Sequence, residues 1–310
     1  MARTEQIETR GTLGLGDVFV LTTVVLWATS FTVIKSAYDE FTPLAFAAVR
    51  FVIASLGLVL LMLAWRQPIR IARGDLLRTA AVGVFHVGLY QLFFGLGLKY
   101  TTASNSVLII NTAPVFTALL IWLTRAERIT WRQVAGMLLA AAGVVLLVEA
   151  GGQLSAGHLK GDLLTLLATW SYAVTPVLVL PLYRRYSTLA VMTVSMLFGT
   201  GVLLAAGLPE LTRQRWAISP HAWGQLAYAA LGAGSLGYVF WYEGIRRIGP
   251  TRVAAYSYLI APIGVLVAVQ VLGEPFGLQH LVGAAVTIMG VALARSGNVR
   301  AISNPESPGV

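Results

Sequence analysis

The sequence predicts an all-α integral membrane protein of ten transmembrane helices, built as two inverted five-helix repeats. Three observations carry the prediction. The chain is too poor in charge for a water-facing surface, it divides into ten apolar segments of spanning length, and matched residues recur about half a chain apart.

Of the 310 residues, 57% are hydrophobic and only 11% charged, with a mean hydropathy of +0.75. An ordinary soluble domain is about a quarter charged. The length would suit two soluble domains of about 150 residues, but this composition turns it into ten spans of about 20 residues with short loops. The net charge of +9 does not point to nucleic acid. The basic residues sit in short loops, and no basic stripe interleaved with aromatics forms a groove. Cysteine is absent, which excludes disulfides, thiolate metal sites and cysteine nucleophiles. No metal-ligand or catalytic constellation is visible, so no cofactor and no enzymatic activity are expected.

The predicted spans are roughly 18–38, 42–65, 76–98, 103–123, 131–149, 162–183, 189–208, 222–245, 253–272 and 278–295. Each can cross about 30 Å of hydrocarbon as a helix, which satisfies its own backbone hydrogen bonds where lipid cannot. The first is too long for a signal peptide and lacks a small-residue cleavage site. The expected layout is a cytoplasmic tail (1–15), a first repeat (16–149), a linker (150–160), a second repeat (161–295) and a second cytoplasmic tail (296–310).

Basic residues set the orientation. One side carries Arg3, Arg10, Arg66, Arg70, Arg73, Arg78, Arg125, Arg128, Arg132, Arg184, Arg185, Arg246, Arg247, Arg252, Arg295 and Arg300. The other carries Lys35, Lys99, Lys160, Arg213 and Arg215. A bias of about three to one places both termini inside.

The repeat is the most informative pattern. Gly16-Asp17 opens the first span and Gly161-Asp162 the sixth. Pro114 answers to Pro262, Glu127 to Glu274, and Gly136 and Gly143 to Gly283 and Gly290. Because five spans is an odd number, two such units must enter the membrane from opposite sides. Inverted repeats of this kind occur in transporters with substrate sites near the bilayer midplane.

Several of these segments resemble a known family. Trp27-Ala28-Thr29-Ser30-Phe31 with Lys35, and Ala47-Ala48-Val49-Arg50-Phe51 with Ala54, are similar to the first two helices of the EamA family of the drug/metabolite transporter superfamily. Leu98 to Asn105 followed by Pro114-Val115 resembles its third-to-fourth helix junction, and Glu127-Arg128-Ile129-Thr130 its entrance to the fifth. Gly249-Pro250-Thr251-Arg252, Pro262 and Gly273-Glu274-Pro275 repeat the pattern more loosely. The resemblance covers about residues 16 to 295. It implies an exporter with a central cavity opened alternately to each side, of the layout found in YddG-type amino-acid exporters, in a bacterial inner membrane. Ser195 stands where the first half has Arg50, and Tyr172 stands near the place of Trp27, so the two halves have diverged.

The polar and aromatic residues at membrane depth supply the candidate site. His86 is mid-span, and Tyr90, four residues on, is expected on the same helix face. A polar group in hydrocarbon usually faces the bundle interior or a cavity; a hydrogen bond to a neighbouring helix is the other reading of His86. Trp27, Trp170, Tyr90 and Tyr238 are deep enough for a cavity wall, with Tyr258 on the ninth span and Ser30 within the first-helix motif. Trp65, Trp122, Trp131, Trp216 and Trp223 lie at span ends and suit interfacial belts. Asn111 precedes Pro114, and Pro114 and Pro262 are candidate points of helix distortion or gating, or kinks that serve packing. Arg50 could hold a substrate carboxylate, snorkel outward or pair structurally. Glu243 could couple protons, but Arg246 and Arg247 follow at helix ion-pair spacing. Glu127 and Glu274 suit the N-terminal dipoles of the fifth and tenth helices. Gly232-Ala233-Gly234-Ser235-Leu236-Gly237 matches a dinucleotide-binding pattern, but no strand precedes it.

The expected function is a secondary exporter of small metabolites, most of all amino acids, with aromatic or hydrophobic ones in view. A multidrug or nucleotide-sugar-like carrier is the alternative within transport, and a non-transporting receptor or scaffold the alternative outside it. The expected partners are a small-molecule substrate and the lipid bilayer, with no nucleic acid. A monomer is expected and a dimer is compatible. Proton coupling and downhill export both fit the sequence.

Overall fold

The computed structural model describes residues 14–67, 70–113, 116–117, 120, 131–150, 156–183, 185–248, 256, 259–274 and 276–296. Among them the regular structure is all helical. Helices α1 (Leu15–Ala37), α2 (Pro43–Ala64) and α3 (Arg73–Gly83) lead into a π-helical segment, Val84–Leu89, which continues as α4 (Tyr90–Tyr100). Then come α5 (Ala103–Ile110), α6 (Trp131–Ala150), α7 (Ala156–Tyr183), α8 (Thr188–Arg213) and α9 (Pro220–Ala227). A second π-helical segment, Tyr228–Leu236, joins α9 to α10 (Gly237–Ile248), followed by α11 (Ile260–Leu272) and α12 (Leu278–Ser296).

Five of these runs are long and apolar enough to cross a membrane: Leu15–Ala37, Pro43–Ala64, Arg73–Tyr100, Leu159–Tyr183 and Thr188–Arg213. Ile260–Leu272 and His280–Gly290 are shorter apolar helices. Large apolar side chains cover the outside, among them Leu60, Leu77, Val271 and Leu278. In water such a surface would aggregate; in lipid it is the expected solvent-facing side. Polar side chains within the helices return to their own backbone, as when Thr22 donates to Val18 O and Thr29 to Val25 O. Trp65, Trp131, Trp216 and Trp223 are exposed, as interfacial residues would be.

Small residues let the helices approach closely. Gly97 of α4 lies so close to α7 that an added Cβ would meet Thr165 Oγ1 at 2.5 Å and Gly161 O at 3.0 Å. Gly244 of α10 sits on Gly16 and Val20 of α1. Gly143 of α6 meets Gly283 and Thr287 of α12, with room for no side chain.

Helix ends are closed by side chains from elsewhere in the chain. Glu210, near the end of α8, accepts the N–H groups of Leu44 (2.7 Å) and Ala45 (3.3 Å) at the start of α2. Midway along the same pair, Ser55 and Thr200 share a hydrogen bond of 2.9 Å. The start of α2 therefore lies at the end of α8, and the two helices run antiparallel. Lys35 donates to the carbonyls of Leu98 and Thr101 at the end of α4, where a cation suits the negative pole of the helix. Glu274 accepts the N–H groups of Ala103 (2.6 Å) and Ser104 (3.0 Å). It thus caps α5, not the helix it precedes in sequence. Glu127 lies outside the described residues.

Two further differences from the sequence reading bear on the site. The predicted third and eighth spans are each interrupted by a π-helical segment, and the predicted fourth span breaks at Asn111–Thr112 after α5. In the ninth, Tyr256 is helical and α11 starts at Ile260, so Pro262 falls in the first turn of α11. There a proline costs no helical hydrogen bond, and its side chain is exposed on the outer face.

Candidate functional site

A cavity of about 260 Å³ lies where these helices meet. From α1 it takes Trp27, Ser30, Phe31 and Ile34, which share one helix face by their spacing. Arg50 of α2 reaches it, as do Tyr90, Gln91 and Phe94 of α4. Ile110, Asn111 and Ala113 enter where α5 breaks. The second half of the chain adds Tyr172, Ala233, Tyr238, Trp241 and Ile260. No acidic residue lines it among those described.

The walls are a run of aromatic contacts. Trp27 lies 4.9 Å from Trp241 and edge-on to Tyr238 at 5.6 Å. Tyr90 stacks on Phe94 at 5.9 Å and leans on Tyr172 at 5.4 Å. Phe94 meets Phe31 edge-on at 5.5 Å. Offset and edge-on pairs of this kind hold rings in fixed orientations. Trp27 is fixed further by its indole N–H, which donates to Ala233 O at 2.9 Å. That carbonyl belongs to the second π-helical segment, the stretch whose glycines imitate a dinucleotide motif; here they permit a wide helical turn instead. Ser30 turns its hydroxyl back onto Trp27 O at 2.7 Å, and Asn111 gives its amide N–H to Val107 O at 2.7 Å.

The structure brings together Trp27, Ser30, Arg50, Tyr90, Asn111 and Tyr238 of the sequence candidates. His86 stands behind the wall. It is 6% exposed, its ring packs against Tyr172 at 5.3 Å, and its Nε2 shares a 3.2 Å hydrogen bond with Tyr238 Oη. His86 and Tyr90 both pack against Tyr172, Tyr90 at 5.4 Å, but only Tyr90 lines the cavity; the hydrogen bond to Tyr238 is the contact with a neighbouring helix that was the other reading of His86. Its Nδ1 has no partner among the described residues.

Trp170 is half-buried against Phe116, with ring centroids 4.9 Å apart. Two residues from Tyr172 is about 200° round a helix, so the two rings point apart and only Tyr172 reaches the cavity. Glu243 pairs with Arg247 at 2.8 Å, the local bridge its spacing suggested. Tyr258 and Pro114 lie outside the described residues. Phe31, Ile34, Gln91 and Phe94 are lining residues the sequence reading did not single out. The helical spacing of Phe31 from Trp27, and of Phe94 from Tyr90, was the available signal.

The described residues thus form a helical bundle with several membrane-spanning runs around a ring-lined cavity. The chain belongs to the EamA-like transporter family, which matches it twice, over residues 14–149 and 159–296. It is 31% identical over 273 residues to a Streptantibioticus cattleyicolor protein named "Probable terminal-alkyne amino-acid exporter", covering 87% of this chain and 90% of that one. An Archaeoglobus fulgidus transporter of uncharacterised function is 30% identical over 274 residues, covering 87% and 94%. A Salmonella typhimurium protein named "Probable amino-acid metabolite efflux pump" is 28% identical over 281 residues, covering 87% and 91%. A solved crystal structure shares the fold with a TM-score of 0.63 at 18% identity, over 95% of this chain and all of that one.

Proposed function

We propose that this protein is a secondary exporter of small metabolites, with amino acids of aromatic or hydrophobic character as the favoured substrates. The observation that carries the reading is the shared cavity. Helices from both family-matched segments wall it, so relative movement of the two would open it to one side or the other. The proposal extends to ten spans in two inverted repeats, with both termini cytoplasmic in a bacterial inner membrane, and to a monomeric unit. Support for inversion comes from the antiparallel α2–α8 pair and from the charge bias of the loops. Support for the substrate class comes from the ring-lined walls and from relatives named for amino-acid export. A cationic drug would need an acid in the cavity, and no described lining residue is acidic.

The test is counterflow in proteoliposomes, with a panel of amino acids, other metabolites and cationic dyes, with and without a pH gradient. Exchange of aromatic or aliphatic amino acids is the expected result. Flux confined to cationic dyes would favour the multidrug alternative. No flux of any solute would favour a receptor or scaffold.

A further inference from the structure

We infer that Arg50 is the specificity-determining residue of the cavity and that it grips a carboxylate, so that the transported solute is a small carboxylate with an apolar or aromatic body. This rests on the transport reading above and names its substrate chemistry.

Arg50 is the eighth residue of α2, two turns in from its start, and 8% exposed. Its Nε donates to Ala229 O at 3.1 Å. Its guanidinium carbon lies 5.1 Å from the centre of the Phe51 ring. Among the described residues no carboxylate pairs with it. The phenols of Tyr38, Tyr90 and Tyr238, all uncharged, are near it. The buried and half-buried acids among the described residues are engaged elsewhere: Glu210 on the start of α2, Glu274 on the start of α5, Glu243 on Arg247, Asp75 on Arg185, Asp17 on Tyr256 and Asp162 on Thr101.

A buried cation without a counter-charge is costly, and an ionisable residue at membrane depth marks a functional site by default. Pinning α2 to Ala229 O does not explain it. That bond uses a single N–H, which a neutral glutamine could supply without the cost of burying charge. Arg50 also lines the cavity, and its two terminal nitrogens are not used by the bond to Ala229 O. Its planar array of donors matches a carboxylate in two parallel hydrogen bonds. Such a ligand would bring the missing negative charge with it. Gln91, buried on the same wall, offers an amide beside the charge, and the rings of Trp27, Phe94 and Tyr172 bound the space for an apolar body. At about 260 Å³ the cavity lies at the small end of ligand sites, which fits a metabolite of amino-acid size.

The experiment uses the full chain, purified in detergent and in proteoliposomes, with four probes that share one ring: phenylalanine, phenylacetate, phenylacetamide and phenethylamine. Binding is read from the fluorescence of the cavity tryptophans and transport from counterflow. The carboxylates are expected to bind wild type about tenfold or more tighter than the amide and the amine, the range for a lost charge-assisted hydrogen bond. Phenylalanine bound in preference to phenylacetate would further assign an amino acid; equal binding would assign a simple carboxylate. Arg50→Gln is expected to lose the carboxylate preference while keeping its weak binding of the amide. Arg50→Lys, which keeps the charge without the fork, should fall between and covers the case in which the glutamine variant does not fold. Wild-type binding that ignores the carboxylate, or an unchanged preference in Arg50→Gln, overturns the role of Arg50. If the probes are still exchanged, the transport reading survives that failure. Neither binding nor flux of any probe overturns both.

Discussion

The two matched halves of the chain are alike as a frame and unlike as a site. Gly97 on Gly161 and Gly244 on Gly16 are the same small-residue contact made twice, each joining one half to the other. The π-helical segments Val84–Leu89 and Tyr228–Leu236 also fall at corresponding places. The cavity shows no such balance. Arg50 faces it, whereas Ser195, the corresponding residue of the second half, is 1% exposed and gives its hydroxyl to Val191 O at 2.6 Å. A backbone-to-backbone approach tolerates no added atom, so it holds both copies to one solution. A cavity side chain touches little of the frame and is free to diverge.

The sharpest way to break this comparison is to fill the two glycine contacts. Gly97→Val would drive its side chain into the backbone and hydroxyl of Thr165; Gly244→Val would meet the side chain of Val20. Overpacking costs about 1–3 kcal/mol where neighbours can shift, and more where the obstacle is backbone. Both variants should lower the melting temperature and the yield of monodisperse protein, Gly97→Val the more. If Gly244→Val is as stable as wild type in a fluorescence-detected melting assay, the frame is not shared in the way described.

A smaller effect is expected from the π-helical segments, where His86 and Ala233 occupy similar places in the two halves. His86→Ala makes the first resemble the second. It removes the hydrogen bond that holds the Tyr238 hydroxyl from behind, without touching the cavity surface. A net hydrogen bond is worth about 1 kcal/mol, roughly fivefold in a rate or an affinity. The variant should insert normally and alter flux or substrate preference by about that factor. Wild-type flux at every pH would remove His86 from any part in positioning the site.

How much of this was legible beforehand follows from what each feature depends on. The depth of Arg50, the apolar runs and the paired glycines are properties of short sequence windows, and they read directly. The π-helical segments are not. In a stretch as apolar as Val84–Leu89, an α-helical turn and a wider one have the same composition, and the choice is made by what packs against them. The hydrogen bond between His86 and Tyr238, and the entry of Tyr172 rather than Trp170 into the cavity, both depend on that packing. Glu274 shows the same limit at a helix end. Its position in sequence favoured the helix that follows it, but the N–H groups it accepts belong to α5, about 170 residues earlier. Periodicity ranks the faces of one helix; it carries no information about which distant helix end lies beside a loop.

The smallest effect belongs to a loop contact. Glu40, between α1 and α2, accepts the hydroxyl (2.5 Å) and the backbone N–H (2.6 Å) of Ser219, just before α9. Those two hydrogen bonds from Ser219 hold its carboxyl below the ordinary carboxylate range. A depressed acid contributes stability that is complete above its unfolded value, about 4.3. That contribution is lost as pH falls through the lower, folded value. Wild type should therefore melt slightly above Glu40→Gln at pH 7, by an amount that stays level down to the ordinary carboxylate range and shrinks in stronger acid as Glu40 protonates. Because the contact is fully exposed, water competes for it and the difference will be small. Melting curves of the two proteins across that range decide the matter. A gap that widened on acidification would mean that Glu40 is protonated more readily in the folded protein than in the unfolded chain, and the loop contact would then have to be held by Gln214, which bridges Thr42, Glu40 O and Arg215 O independently of any charge.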